Sequence, residues 1–123
     1  MPPPSRLRRS ADFTRTVRSG VRVGRPTMVG HLLVDPVCPD EMPKVGFIVS
    51  RAVGPAVTRN RVKRRLRELV RGYLQLLPGG SLLVVRANPT AARAGQPDLA
   101  ADLDLVIHKL LRRQVGAHVG NAR

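Results

Sequence analysis

Residues Lys44–Arg71 read KVGFIVSRAVGPAVTRNRVKRRLRELVR, and this stretch decides the fold. In its first part apolar side chains alternate, so that Val45, Phe47 and Val49 share one face of an extended chain. That period of two predicts a strand over residues 44–50. The second part changes to the longer repeat of a helix, so a strand is followed directly by a helix.

The helix of this stretch is expected to begin near Thr58, which stands where an N-cap residue would stand after Gly54 and Pro55. Pro78, Gly79 and Gly80 are expected to end it, because neither proline nor glycine extends a helix well. The apolar positions that recur at helical spacing are Val62, Leu66, Leu69, Val70, Tyr73 and Leu77.

The flanking sequence completes a small α+β domain. Ser10 is expected to cap a first helix over 11–18, and Pro97 precedes a final helix that frays beyond Gln114. Strands are predicted over 27–34 and 81–87, with a possible short strand near 21–23. The predicted order is therefore helix, strand, strand, helix, strand, helix, in a two-layer sandwich with helices packed on a sheet.

With 123 residues the chain has the length of one domain. We expect that domain over 10–114, between a basic flexible arm over 1–9 and a flexible tail over 115–123. A single cysteine, Cys38, cannot form an internal disulfide. No apolar run approaches the roughly 18 residues of a membrane span. These features favour a protein of the cytoplasm without membrane contact.

Positive charge is the most pronounced property of the composition. The chain has 22 lysines and arginines against 8 acidic residues, a formal charge of +14. Eight cations and one acid, Glu68, lie between Arg51 and Arg71, so that segment carries half of the net charge. An excess of this size predicts a polyanionic partner, with nucleic acid as the leading candidate.

At 100° per residue the helix has an apolar side and an opposite basic side. Asn60, Arg64, Arg67 and Arg71 fall on this basic side, which we call the arginine ridge. Solvated helix faces usually alternate charges, whereas only Glu68 interrupts this one. Arg59, Asn60 and Arg61 would also lie in the first turn, where free N–H groups attract phosphate. We therefore favour a polyanion-binding face over an ordinary solvated one.

The segment VGFIVSRAVGPAVTRNRVKRRLRELVR, Val45–Arg71, closely resembles the signature of the bacterial ribonuclease P protein family. Arg59-Asn60-Arg61 corresponds to the family's RNR motif. Weaker similarity includes Arg6-Leu7, Asp12-Phe13 and Val84-Val85-Arg86, so the resemblance spans most of the chain except both tails. It implies a ribosomal protein S5 domain 2-like fold with a left-handed βαβ crossover, an exception to the usual right-handed rule.

The family resemblance also implies a function. The protein would be the subunit of an endoribonuclease in which RNA performs catalysis, removing the 5′ leader of precursor tRNA. Mg²⁺ would be the cofactor, held mainly by that RNA. The partners would be the catalytic RNA and precursor tRNA, and we expect a monomer, one per catalytic RNA. No catalytic residue of the protein is expected, and its sequence contains no convincing catalytic constellation.

Two binding surfaces follow from the resemblance. The first contacts the catalytic RNA, and Arg65 and Arg71 are added to it from charge and helical phase. Its residues are Arg59, Asn60, Arg61, Lys63, Arg64, Arg65, Arg67 and Arg71. The second is a cleft that holds the single-stranded leader by aromatic stacking and positive charge. Its residues are Phe13, Val17, His31, Ser50, Arg51 and Arg86.

The cleft departs from the family pattern at three positions. Val17 replaces the second aromatic residue, His31 replaces a tyrosine, and Ala52 replaces a cation. Stacking on the leader is therefore expected to be weaker than in members with more aromatic residues.

Two other classes of protein share parts of this pattern. A structural RNA-binding protein of the ribosome would have the same size, charge and α+β order but would need no cleft. A sequence-specific DNA regulator would place an arginine helix in the major groove, usually within a helical module. The strands on both sides of the basic helix argue against the regulator.

Overall fold

Three helices and four strands follow one another in the order α1, β1, β2, β3, α2, β4, α3. The computed structural model describes residues 5–34 and 40–121, with the backbone alone over 115–121. The helices are α1 (Ser10–Ser19), α2 (Ala56–Arg71) and α3 (Gln96–Asn121). The strands are β1 (Val21–Gly24), β2 (Met28–Val34), β3 (Lys44–Ile48) and β4 (Ser81–Ala87). Short 3-10 helices occupy Leu74–Leu76 and Pro89–Ala92.

The strands form one sheet in the order β1-β2-β4-β3. The pairs β1–β2 and β2–β4 are antiparallel, whereas β3 and β4 are parallel neighbours. Helix α2 therefore makes the crossover between two parallel strands, as parallel pairing requires. The predicted α+β architecture and the short strand near residues 21–23 are confirmed, while the left hand of the crossover stays a prediction.

The main core lies between one face of the sheet and helices α2 and α3. Val62, Leu66 and Val70 of α2 are fully buried there, in agreement with the predicted helical phase. Helix α3 approaches the sheet closely at Gly30, where a β-carbon would overlap the side chain of Val106. Glycine at that position allows the helix to pack against β2.

A second, smaller apolar cluster lies on the opposite face of the sheet. Leu82 and Val84 of β4 pack there with Leu7 and with Phe13 of α1, whereas the alternate β4 residues face the main core. The predicted sandwich of two layers is thus formed by the sheet and by α2 and α3, which pack on one of its faces. Helix α1 adds partial cover on the other face and leaves one end of that face open.

The predicted cap of α1 and the predicted end of α2 are wrong. Helix α1 includes Ser10 as its first residue, and Arg9 precedes it without a side-chain cap, because Ser10 already has helical backbone geometry. Helix α2 ends at Arg71, before Gly72, and not at Pro78. Glycine lowers helix propensity, and the chain continues into a short 3-10 turn. Leu77 is nevertheless buried, which explains why the apolar repeat extends past the helix.

At the N-terminal end, packed structure begins before the predicted limit of the domain. Arg6 pairs with Val45 at the edge of β3, the backbone N–H of Leu7 donates to the carbonyl of Val45 at 3.0 Å, and Leu7 is buried. Residues 5–7 are therefore packed on the domain, because Leu7 supplies the apolar surface that the other arm residues lack. The backbone of α3 continues as a helix past Gln114. Residues 1–4, 122–123 and Cys38 lie outside the described residues.

Candidate nucleic-acid interface

The arginine ridge runs along the exposed side of α2. Asn60, Arg64 and Arg71 are exposed and Arg67 is half-buried. The opposite side of the same helix carries the buried residues Val62, Leu66 and Val70. Among the residues whose side chains are described, no carboxylate lies within ion-pair distance of an α2 cation. The ridge therefore presents positive charge that the fold itself does not neutralise.

The start of α2 differs from the predicted one. Pro55 is the N-cap residue and Ala56 the first helical residue, so Thr58 lies inside the first turn and caps nothing. The N–H of Arg59 already donates to the carbonyl of Pro55 at 2.9 Å. The prediction of a phosphate site on free N–H groups at Arg59, Asn60 and Arg61 is therefore wrong. Proline lacks an N–H and has a fixed φ, which makes it compatible with a helix start.

Arg59 and Arg61 contact the protein backbone. Nε of Arg59 donates to the carbonyl of Gly54 at 3.2 Å, and Nη2 of Arg61 donates to the carbonyl of Ala92 at 3.3 Å. Nε of Arg61 is buried without a hydrogen-bond partner among the described residues. Both side chains are half-buried and tie α2 to its neighbours. A role in contacting RNA stays a prediction for both, as it does for the half-buried Arg65 and the exposed Lys63.

A groove of about 570 Å³ opens on the face of the sheet that α1 covers only in part. Cross-strand pairing aligns Val29 with Arg86 and His31 with Val84, so these side chains lie on one face. Val17 of α1 and Ser50 after β3 also line the groove. Four residues of the predicted cleft, Val17, His31, Ser50 and Arg86, are thus brought together.

His31 lies buried in the groove between two cations. Its side chain is 5% exposed, and Nδ1 has no hydrogen-bond partner in the described part of the chain. Burial lowers the pKa of His31 from its ordinary 6.5, and the positive charges of Arg22 and Arg86 lower it further. The imidazole is therefore neutral near pH 7, and the arginines supply the positive charge of the groove.

Phe13 and Arg51 do not line this groove. The ring of Phe13 packs over Gly46, where a β-carbon would overlap it, and so sinks onto β3 one helical turn before Val17. Phe13 borders a separate cavity that Lys63 and Arg67 also line. Arg51 is exposed in the turn after β3. The structure therefore does not bring these two residues together with the other four, and their contact with the leader stays a prediction.

Sequence reasoning missed two polar residues of the groove, Arg22 and Asn88. Arg22 is paired with His31 across β1 and β2, which places both side chains on the same face. Alternation in β1, where Val23 is buried, could have indicated that Arg22 points away from the core. The identity of its cross-strand neighbour depends on register, which one sequence does not contain.

Among the side chains that the structure describes, no group of three or more His, Cys, Asp or Glu residues is placed to hold a metal ion. No described helix is long and apolar enough to cross a bilayer.

Comparisons with known proteins agree on one family. The family model described as Ribonuclease P matches residues 1–111. A ribonuclease P protein component of Nocardioides is 53% identical over 114 residues, covering 93% of this chain and 93% of the relative. One of Streptomyces avermitilis is 51% identical over 117 residues, covering 90% and 95%.

Solved structures support the fold. The RNase P protein of Staphylococcus aureus superposes with a TM-score of 0.75 at 24% identity, covering 85% of this chain and 93% of that one. The RNase P protein of Thermotoga maritima gives 0.69 at 24% identity, covering 87% and 96%. At these identities the likeness speaks for the fold alone. The sequence relatives carry the assignment and set aside the ribosomal and DNA-regulator interpretations: the chain belongs to the bacterial ribonuclease P protein family, the protein components of a ribonuclease.

Proposed function

We propose that this protein binds the catalytic RNA of ribonuclease P through α2 and holds the 5′ leader of precursor tRNA in the groove. It thereby assists endonucleolytic removal of the leader. The observation that carries the proposal is the separation of two basic surfaces: the arginine ridge on one helix, and a groove with Arg22 and Arg86 on the far side of the sheet. Two RNA segments could be held at once on these surfaces.

Catalysis in this proposal belongs to the RNA, with Mg²⁺ held mainly by RNA phosphates. The protein would contribute cations that lower the repulsion between two RNA molecules and so reduce the Mg²⁺ concentration that assembly requires. It would act in the cytoplasm as a monomer, one per catalytic RNA. The ridge and the groove need no second copy to be complete.

Reconstitution tests this function directly. Adding the protein to the matching catalytic RNA should restore cleavage of the leader at low Mg²⁺ concentration, because protein cations replace part of the screening by metal ions. The readout is the rate of leader release from labelled precursor tRNA as Mg²⁺ is varied. Protein without RNA should release nothing. If the protein changed neither the Mg²⁺ requirement of the catalytic RNA nor its affinity for precursor tRNA, the result would contradict the proposal.

Arg86→Ala should weaken binding of precursor tRNA about tenfold in the reconstituted complex, because a charge-assisted contact with the leader is worth about 1.4 kcal/mol. Arg86 is exposed at the floor of the groove. Mature tRNA, which has no leader, should bind equally to both forms. Arg18→Ala is the matched control, since Arg18 is exposed on α1 but does not line the groove. Equal losses for the two tRNA species would contradict a leader site.

A further inference from the structure

A second cavity, of about 170 Å³, lies at the outer edge of β3. It is bounded by α1, by α2 and by residues 5–9, which we call the N-terminal segment. We call this cavity the edge cavity. It is lined by Arg6, Leu7, Phe13, Val45, Gly46, Phe47, Lys63 and Arg67. A water molecule occupies about 30 Å³ of liquid, so the edge cavity has room for a group several times larger.

Three cations from two distant parts of the chain meet at the edge cavity, and none of the carboxylates that the structure describes lines it. Arg6 comes from the segment before α1, while Lys63 and Arg67 are one turn apart on α2. Like charges at such a spacing destabilise a helix. A bound anion would offset the repulsion between Lys63 and Arg67. It would also offset the repulsion between these two cations and Arg6.

The sheet edge offers the edge cavity a backbone donor as well. The carbonyl of Val45 points outward, because it accepts the N–H of Leu7. Alternate residues of a strand direct their backbone groups to the same side, so the N–H of Phe47 also points to this edge. It has no backbone partner within the described ranges 5–34 and 40–121. The edge cavity thus combines side-chain cations with a backbone N–H, the usual donor set for phosphate.

Gly46 and Phe13 give the edge cavity its fixed shape. The ring of Phe13 rests against Gly46, which has no side chain to displace it, and Leu7 is buried beside both. These apolar contacts hold the N-terminal segment and α1 on β3, so that Arg6 starts from a fixed backbone position facing α2. Such preorganisation reduces the entropy lost when an anion is bound.

We propose that the edge cavity holds one phosphate group of bound RNA, clamped between Arg6 on one side and Lys63 and Arg67 on the other. This inference deepens the proposed function and rests on it for RNA as the source of the phosphate. The site lies between α2, which carries the arginine ridge, and α1, which borders the groove. A phosphate there would lie between the two RNA-binding surfaces. The N-terminal segment would then contact RNA through Arg6.

The first test uses inorganic phosphate and the free full-length protein. Phosphate should shift the NMR resonances of the Gly46 and Phe47 amides in a saturable manner. Arg6→Ala should weaken that affinity about fivefold to tenfold, because it removes one charge-assisted hydrogen bond to the anion. Arg8→Ala is the matched control: Arg8 is exposed in the same segment but does not line the edge cavity, and it should change the affinity less than about twofold. Equal effects of the two variants would overturn the proposal.

The second test identifies which RNA supplies the phosphate. Affinities of Arg6→Ala and Arg8→Ala are measured for the catalytic RNA alone and, in the reconstituted complex, for precursor tRNA. A selective loss with Arg6→Ala for either RNA supports the site and names its source. If wild-type protein restores leader cleavage but Arg6→Ala binds both RNAs normally, the edge cavity is not an RNA phosphate site and the proposed function stands. Failure of wild-type protein to bind the catalytic RNA would instead remove the proposed function.

Discussion

A protein in which Arg64 and Arg71 are both replaced by alanine is expected to bind the catalytic RNA about 100-fold more weakly, at about 1.4 kcal/mol for each contact. Both side chains are exposed on the arginine ridge, and neither lines the groove or the edge cavity. Their positive charges have no ion-pair partner among the described side chains. The substitutions therefore remove contacts with RNA without breaking contacts within the protein.

The stability of the domain should hardly change in this double variant. Alanine favours a helix, and removing Arg64 and Arg71 relieves the repulsion of each with Arg67, which lies three residues from one and four from the other. Arg71 lies in the last turn, where a cation interacts favourably with the helix dipole by a few tenths of a kcal/mol. These small effects have opposite signs. A thermal melt of the free protein checks that the stability of the variant is unchanged. A loss of RNA binding can then be assigned to the interface.

Salt dependence distinguishes the arginine ridge from general positive charge. The plot of log affinity against log salt should become less steep by about 0.7 to 0.9 for each phosphate that the variant no longer neutralises. Arg112→Ala serves as the control, because Arg112 is exposed on α3. Its neighbour Arg113 donates to the carbonyl of Arg22 in β1, at the sheet edge opposite β3. A loss of equal size for Arg112→Ala would show that charge alone, and not the ridge, controls binding.

The local patterns of this sequence were sufficient to predict its elements. Strand β4 has the predicted bounds, Ser81–Ala87, because the apolar run over 82–85 lies between Gly80 and Pro89. The phase of α2 is also confirmed, since Val62, Leu66 and Val70 are its buried residues. Periodicity is a property of neighbouring residues, so one sequence contains it in full.

The composition of the candidate surfaces was harder to predict, because it depends on contacts between distant residues. Phe13 was assigned to the leader cleft by resemblance to the family, in which it matches the first aromatic position. The absence of a side chain at Gly46, a residue of a different element, draws its ring onto β3 instead. Arg22 was missed because its neighbour His31 is set by the register of β1 and β2. Arg6 was assigned to a flexible arm, although the adjacent Leu7 anchors it.

Asp102→Ala is expected to lower the free energy of unfolding by roughly 2–4 kcal/mol, the largest effect on stability that we predict. Asp102 is 8% exposed on α3. One carboxylate oxygen accepts the backbone N–H of Thr27 at 3.1 Å and its hydroxyl at 2.7 Å, and the other accepts Nε of Arg25 at 3.3 Å. These contacts fix the turn between β1 and β2 against α3. Alanine would leave the buried N–H and hydroxyl of Thr27 without their acceptor.

The measurement is urea unfolding followed by circular dichroism, with Asp104→Ala as the matched control. Asp104 lies on the same helix and accepts the hydroxyl of Tyr73, but the contact is exposed and should contribute less than about 1 kcal/mol. Losses of the same size for the two variants would contradict the role assigned to the buried carboxylate.

The pH dependence of unfolding gives a second, independent readout for Asp102. Burial alone would raise its pKa, but the hydrogen bonds from Thr27 and Arg25 and the charge of Arg25 outweigh burial and lower it from the ordinary 3.8. A carboxyl whose pKa is lower in the folded state stabilises the fold fully above its unfolded pKa. The stability difference between wild type and Asp102→Ala should therefore be constant from about pH 6 to 7 and shrink as pH falls below about 4. A difference that persists unchanged into strong acid would mean that the ionised carboxylate is not what holds the turn.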